Sequence, residues 1–237
     1  QWVQGAGMEG GDIRSLMKNG SDLYAGSQYG GVFLSNNNGD SWTPRFNGLP
    51  AGVSVVRLMA KDTLIFAGTG YWSKQGQGIF RSDDQGATWV QKNSGIQVSP
   101  TGYFTDLDIT GLAKTSSYIF ASTRQNGIYR SSDNGDNWEK VFDQYGPDSS
   151  FREVFAICSI GDVVFAGSGG VFRSYDQGLN WDFVNTGFPS GFGVYQLISS
   201  GADLYVRGSH GFYWSPSNGD YFIGINNGIS YPNGAGS

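Results

Sequence analysis

The side chains best suited to chemistry in this chain begin with three arginines. Arg14, Arg57 and Arg152 fall on or near strand-like segments, and grouped guanidinium ions bind carboxylates because each planar fork contacts both oxygens. When the chain is aligned on its internal repeats, Arg14 falls level with Val56 and Arg57 falls level with Ser15. Since the two arginines occupy different positions of the repeat, we expect them to point to opposite faces of their strands.

Paired carboxylates are the second chemistry to consider, since glycoside hydrolysis needs two of them roughly 5–9 Å apart across a cleft. The carboxylates that could crowd one face are Asp12, Asp106, Asp108, Asp148 and Glu153. No motif joins them, and loop carboxylates generally cap turns or stay solvated. His210 is the only histidine, so a histidine metal site or a catalytic triad has no second member. The sequence therefore predicts no catalytic residue, no metal and no cofactor.

Aromatic and polar residues in the less repetitive loops form the candidate binding set. Its members are Tyr29, Tyr71, Trp72, Tyr103, Arg124 and His210. Tyrosine and tryptophan stack on sugar rings or anchor protein partners, and arginine and histidine add hydrogen bonds. The alternative is that these aromatic residues pack their own loops.

The scaffold that positions these residues is indicated by a turn motif that occurs five times in the sequence. Its form is Ser-x-Asp-x-Gly-x-Thr/Asn/Ser-Trp. Its defining residues are Ser35, Asn37, Gly39 and Trp42, then Ser82, Asp84, Gly86 and Trp89, then Ser131, Asp133, Gly135 and Trp138, then Ser174, Asp176, Gly178 and Trp181. A decayed fifth copy spans residues 215–222 and ends in Phe222. We expect the Asp or Asn side chain to accept from backbone N–H groups two residues ahead, and the glycine to supply a positive φ. The tryptophan then opens a strand.

The spacing of these turns predicts the architecture. A short apolar run precedes each copy, so strand, turn and strand form a hairpin, and the hairpins recur about every 40–50 residues. A repeat of that length with four short strands indicates a β-propeller blade. We therefore predict one all-β domain over residues 1–237, with blades at about 11–50, 51–99, 104–147, 150–189 and 192–230. Five four-stranded antiparallel blades are favoured, and six or more would follow if the chain is a fragment.

The chain ends pose a separate question. Residues 1–8 read like an outer strand without a blade of its own, and we interpret residues 2–4 as a strand that closes the ring against the last blade. Residues 221–225 compete for the same outer position. Because an unpaired strand edge invites association, self-association through the terminal strand is a further expectation.

The repeated turn resembles the Asp-box, or BNR, repeat of sialidases, sortilin-type receptors, some glucanases and photosystem assembly factors. That resemblance implies a β-propeller whose boxes are structural hairpins and not an active site. Sialidases are similar in using three arginines around a substrate carboxylate, a tyrosine assisted by a glutamate, and an aspartate. The Phe/Tyr-Arg-Ile-Pro motif of sialidases has no good match here, since Phe151-Arg152-Glu153 departs from it.

Composition narrows the remaining classes. Thirty-eight glycines and 15% charged residues suit a turn-dense β protein, and a net charge of −5 argues against nucleic-acid binding. No apolar run could cross a membrane. Cys158 lies in an apolar run and is predicted to be a buried hydrophobe.

We predict a non-catalytic module, secreted or at the surface or periplasm of a bacterium, that binds a glycan or protein or serves assembly. The alternative is a glycoside hydrolase, sialidase-like or endo-glucanase-like, acting at the channel mouth with Arg14, Arg57, Asp106 or Glu153.

Overall fold

The computed structural model describes residues 12–70, 76–97, 107–143 and 153–227, which contain strands and turns but no helix. The strands, in chain order, are β1 (Ile13–Asn19), β2 (Asp22–Ser27), β3 (Gly31–Ser35), β4 (Thr43–Pro44), β5 (Val55–Lys61), β6 (Leu64–Thr69), β7 (Ile79–Ser82), β8 (Val90–Gln91), β9 (Ile109–Lys114), β10 (Ile119–Thr123), β11 (Ile128–Ser131), β12 (Glu139–Phe142), β13 (Ala156–Ile160), β14 (Val163–Gly167), β15 (Val171–Ser174), β16 (Asp182–Phe183), β17 (Val194–Ser200), β18 (Asp203–Gly208), β19 (Gly211–Ser215) and β20 (Ile223–Gly224).

Each successive group of four strands forms one blade, a sheet in which every strand pairs antiparallel with the next. Blade 1 is β1–β4, and blades 2 to 5 follow in the same way. The first strand of each blade is the inner one, and the inner strands lie beside one another in chain order. This five-bladed β-propeller of four-stranded antiparallel sheets confirms the predicted fold class.

Aromatic rings on the second strands fill the spaces between consecutive blades. Tyr24, Phe66, Phe120 and Phe165 are all buried, and each packs with apolar residues of the following blade. Burying one such side chain is worth about 1.5–3 kcal/mol. Because every interior blade is covered on both faces, its second strand is buried along its length, as β10 is at all five residues.

The repeated turns, here called box turns, satisfy their own polar groups. In the second one, Ser82 Oγ accepts from the Gly86 N–H (2.7 Å) and donates to Asp84 Oδ1 (2.8 Å). Asp84 accepts from both the backbone N–H and the hydroxyl of Thr88, at 2.8 and 2.6 Å. The carboxylate therefore reaches four residues ahead and not two as predicted, because the serine takes the glycine N–H. Gln85 and Gly86 both have positive φ, 58° and 83°.

The other box turns are variations on this pattern. In the first, Asn37 accepts from the Ser41 N–H (3.0 Å) and donates to the Ser41 hydroxyl (2.9 Å). In the fifth, Ser217 replaces the aspartate, and the bond from the Gly219 N–H to Ser215 Oγ remains at 3.0 Å. The serine–glycine bond is thus common to all five turns, while the carboxylate is present in three of them.

Each box turn from the second onward covers the aromatic ring of the preceding blade. A Cβ on Gly135 would lie 3.0 Å from the Phe66 ring, and one on Gly219 would lie 2.8 Å from Phe165. Only glycine combines this close approach with a positive φ. The box turns are therefore structural contacts between blades.

The tryptophans that end the second and third box turns also tie neighbouring blades together. The indole N–H of Trp89 donates to the Arg45 carbonyl at 2.9 Å, and that of Trp138 donates to the Lys92 carbonyl at 3.0 Å. Both acceptors belong to the outer strand region of the preceding blade. Apolar packing and a directed hydrogen bond thus fix the same junction.

Within the described ranges, the first and last blades each have one apolar face that no other blade covers. Leu16 in blade 1 is 70% exposed, whereas Leu197, at the same position of blade 5, is 6% exposed against blade 4. On the far side of blade 5, Ile198 and Tyr205 are 53% and 37% exposed. The outer strand of this blade is β20, and the predicted closing strand at residues 2–4 lies outside the described residues.

We predict an acid-dependent stability from the box carboxylates. Hydrogen bonds from Thr88 and Asn137 lower the pKa of Asp84 and of Asp133 to about 2. Since the folded pKa lies below the unfolded value of about 3.9, these carboxylates stabilise the fold above that value and lose their effect as the pH falls through about 2. The double variant Asp84→Asn/Asp133→Asn should lose less stability than the parent between pH about 5 and 2.5, by urea unfolding. Asp182→Asn, at an exposed carboxylate outside the turns, is the control, and an unchanged slope in the double variant would contradict the prediction.

A second prediction concerns the loops that dock on the next blade. Gly95 has a φ of 90°, and a Cβ there would collide with the Trp138 carbonyl oxygen. Gly161 has a φ of 57° and open space around it. Gly161→Ala should cost about 1–2 kcal/mol of unfolding free energy from the left-handed backbone alone. Gly95→Ala should cost at least ~1 kcal/mol more because it also overpacks the junction. Equal urea midpoints for the two variants would refute the steric part.

Candidate binding site

A central cavity of about 490 Å³ opens where the inner strands of all five blades begin. Its lining residues are Arg14, Val56, Arg57, Gly70, Asp108, Ile109, Thr110, Arg124, Phe155, Tyr195, Gln196 and Arg207. The antiparallel strand order puts the box turns at the opposite end of the blades. The cavity therefore lies on the face that the strand order predicts to carry function.

At the start of four of the five inner strands, a break in the pairing with the second strand aims one side chain into this cavity. The ladder skips Arg14 in β1, Val56 in β5, Thr110 in β9 and Tyr195 in β17. Phe155 holds the same place just before β13. A bulge inserts one unpaired residue and re-aims its side chain. All five of these residues line the cavity.

The bulges correct our expectation that Arg14 and Arg57 point to opposite faces. Arg14 is the skipped residue of its strand, while Arg57 is the first paired residue after the skip at Val56. Strict alternation would separate these positions, but a bulge interrupts the alternation at this point. Both arginines consequently line the same cavity.

The cavity is cationic on an acidic chain. Among the described lining residues, four carry a guanidinium group and Asp108 carries the one carboxylate. Arg14 bonds Asp12 (3.1 Å) and Gln28, and Arg124 lies 3.6 Å from Glu153. Two of the four positive charges thus have carboxylates of the chain close by.

Arg57 and Arg207 differ from the other two arginines. The Arg57 guanidinium donates to the Val56 carbonyl at 2.7 Å, and within the described ranges no carboxylate lies at ion-pair distance from it. Burial lowers the pKa of Arg57 below its usual value, because a desolvated cation loses hydration. Arg207 lies with its guanidinium carbon 6.0 Å from the Tyr195 ring centroid and likewise has no carboxylate partner in the part of the chain described. These two cations favour an anion in the cavity.

Three of the predicted binding residues fall within the described ranges. Arg124 lines the cavity. Tyr29 accepts a hydrogen bond from Gln28 at 2.7 Å, and Gln28 in turn accepts from Arg14, so Tyr29 is two contacts away from the lining. His210 lies in the turn between β18 and β19, with its Nδ1 2.9 Å from Ser209 Oγ, and is not part of the lining.

The remaining predicted residues lie outside what the structure describes. These are Tyr71, Trp72 and Tyr103, together with Asp106 of the hydrolase alternative. Glu153 is described and lies beside Arg124.

Sequence reasoning missed Tyr195, Gln196 and Arg207. A signal for Arg207 was available: blades 1, 2 and 4 place Gly26, Gly68 and Gly167 at the same point of the second strand. Arg207 occupies this position in blade 5, and a large cation in place of a glycine departs from the pattern of the repeat. Tyr195 and Gln196 carry no such mark, because the residues at the bulges vary from blade to blade.

The described part of the chain offers little support for a metal site, a membrane-spanning helix or a reactive cysteine. Those residues include no group of three or more metal-ligating His, Cys, Asp or Glu side chains. Nor do they include a helix of the length and apolarity needed to cross a membrane. Burial raises the pKa of the Cys158 thiol to about 12, as expected for a cysteine packed against a hydrophobic core.

Comparison with known proteins places the chain by fold. No protein-family model matches it, and no curated protein matches it. An ancestral GH74 enzyme is similar with a TM-score of 0.69 at 20% identity, over 96% of this chain and 32% of its own. YCF48 bound to a D1 peptide gives a TM-score of 0.63 at 14% identity, over 93% of this chain and 69% of its own. The extracellular domain of BT4673 from B. thetaiotaomicron gives 0.67 at 13%, over 86% of this chain and 27% of its own.

The chain spans about a third of the length of the GH74 enzyme and about a quarter of that of the BT4673 domain. These likenesses lie at low sequence identity, and one fold of this kind hosts unrelated functions. The neighbours named here are a GH74 enzyme, the extracellular domain of BT4673 and YCF48 bound to a D1 peptide, which differ in what they do. Together they identify this chain as a β-propeller.

Proposed function

We propose that this chain is a non-catalytic binding module whose central cavity receives a carboxylate group of a glycan or protein ligand. The observation that carries the proposal is Arg57, a partly buried guanidinium in the cavity that has no carboxylate partner among the described residues. Arg207 adds a second such cation from blade 5. A carboxylate matches them because a guanidinium fork can contact both of its oxygens.

The size and field of the cavity fit this role. A volume of about 490 Å³ lies within the range of roughly 300–1,000 Å³ that small-ligand sites occupy. Clustered positive charge in a concave site concentrates anions, even though the whole chain carries a net charge of −5. The ligand would enter opposite the box turns, which hold the blades together.

Hydrolysis is the competing function, and the cavity supports it less well. A glycosidase needs two carboxylates on either side of the scissile bond. Among the described residues Asp108 is the one carboxylate in the lining, and Glu153 lies beside Arg124. Asp108 accepts from the Gly76 N–H at 2.7 Å, a contact typical of a structural carboxylate. The resemblance in fold to GH74 enzymes keeps hydrolysis as the alternative.

We place the module outside the cell or in the envelope, and we propose that its box turns belong to the Asp-box type. The solved neighbours that support this include the extracellular domain of BT4673 and YCF48 bound to a D1 peptide. The extracellular location and the bound peptide are properties of those two proteins. Here they motivate the choice of ligands to test.

Binding should depend on Arg57. Titration with carboxylated glycans and with acidic peptides should detect at least one ligand, and Arg57→Gln should weaken its binding about tenfold or more because a charge-assisted hydrogen bond is lost. Lys18→Gln, which removes a positive charge at the far end of β1, is the matched control and should bind like the parent. No turnover of aryl glycosides is expected.

Two results would contradict the proposal. Turnover of an aryl glycoside that is lost in Asp106→Asn or Glu153→Gln would favour the hydrolase. Equal ligand binding by Arg57→Gln and the parent would show that the ligand does not bind through Arg57 in the cavity.

Self-association through residues 1–8 is a separate proposal, motivated by the exposed faces of the first and last blades. Deleting residues 1–8 should lower the mass measured by light scattering without changing the urea midpoint, because a strand edge is lost while the described blades stay paired. An unchanged mass would show that the terminal strand does not mediate assembly.

A further inference from the structure

The charged and aromatic side chains that line the cavity are not distributed evenly. Blades 1, 2 and 3 contribute Arg14, Arg57 and Arg124, which make that side of the lining cationic. Blades 4 and 5 contribute the aromatic rings Phe155 and Tyr195, and blade 5 adds Arg207 beside the Tyr195 ring. A ligand that carries an anionic group next to an apolar ring face therefore matches this lining.

The aromatic side is built as a pair. The Phe155 and Tyr195 ring centroids lie 6.4 Å apart with an angle of 79° between the planes, an edge-to-face arrangement. Such pairs hold their rings in a defined orientation. Tyr195 is 47% exposed although it lies at the centre of the propeller. Its ring therefore faces the cavity and is not buried in a hydrophobic core.

The residue after Tyr195 adds a polar partner. Gln196 occupies in blade 5 the position that Arg57 occupies in blade 2, the first paired residue after the bulge. Its side chain is exposed and lines the cavity. A primary amide both donates and accepts, which suits a hydroxyl group that does the same.

We propose, as a refinement that rests on the proposed function, that the ligand group is an acidic sugar, a pyranose ring bearing a carboxylate. Its carboxylate contacts Arg57, its apolar face lies against Tyr195, and a ring hydroxyl bonds Gln196. A pyranose carries these three chemistries within one residue, whereas the end of an acidic peptide supplies the carboxylate without the hydroxyls. The source would be a uronic-acid or other carboxylated polysaccharide.

The test uses the full chain and three probes in titration calorimetry. The probes are an oligosaccharide ending in glucuronic acid, the same oligosaccharide ending in glucose, and a short peptide ending in glutamate. The parent should bind the acidic sugar about tenfold or more tightly than either other probe. Tyr195→Ala should weaken acidic-sugar binding about tenfold, and Tyr195→Phe should restore it to within about threefold because the ring face is retained.

Tyr175→Ala is the matched control. Tyr175 is also an exposed tyrosine beside an arginine, with the Arg173 guanidinium carbon 4.7 Å from its ring centroid, but it lies in a box turn at the other end of the blade. The Tyr175→Ala variant should bind the acidic sugar like the parent.

Gln196→Ala provides a second variant at an exposed side chain if Tyr195→Ala fails to fold. It should weaken binding of the acidic sugar but not binding of the peptide.

The outcomes separate the two proposals. If Arg57→Gln weakens binding but the peptide binds as tightly as the sugar and Tyr195→Ala has no effect, the sugar assignment is wrong and the anion-binding cavity stands. If Arg57→Gln also has no effect on any bound probe, or none of the probes binds, both proposals fail for these ligands.

Discussion

The structure depends on one constraint: each interior blade is apolar on both faces and must be covered on both, and the cover includes a polar turn. Phe66 and Phe165 lie beneath the box turns of the blades that follow them. A turn can rest on an aromatic ring only if its own N–H groups are already satisfied, since a buried unpaired donor costs about 1–3 kcal/mol. The serine–glycine bond common to all five turns meets this requirement.

That arrangement divides the propeller into a structural end and a variable end. At the structural end, box turns, tryptophan hydrogen bonds and ring contacts repeat from blade to blade. At the other end the inner strands begin with bulges, and the residues there change from Arg14 to Val56 to Thr110. A bulge tolerates this variation because its extra residue is left out of the regular pairing between the two strands.

The chemistry of the cavity lining therefore depends on which blade carries each residue, and no single motif encodes it. Arg57 and Gln196 are equivalent by register, yet one is a cation and the other is a neutral amide that follows the Tyr195 ring. This uneven distribution is the reason why we propose a ligand that carries both an anionic group and a ring face. Arg207 contributes to it by replacing a small residue on the second strand of the last blade, whose outer face is uncovered.

The sequence by itself determined the strands, the five blades and the box turns, because each depends on contacts within about ten residues: alternation, serine and aspartate capping, and glycine with a positive φ. It could not determine which side chains meet at the centre. Arg14 and Arg57 were assigned to opposite faces because alternation along a strand is a local rule, while the bulges that break it are fixed by pairing with the neighbouring strand. Tyr195 and Arg207 join the site only when the last blade packs beside the fourth and turns toward the first. Residues nearly 200 positions apart line one cavity because the five inner strands pack side by side around it, and tertiary structure alone decides this.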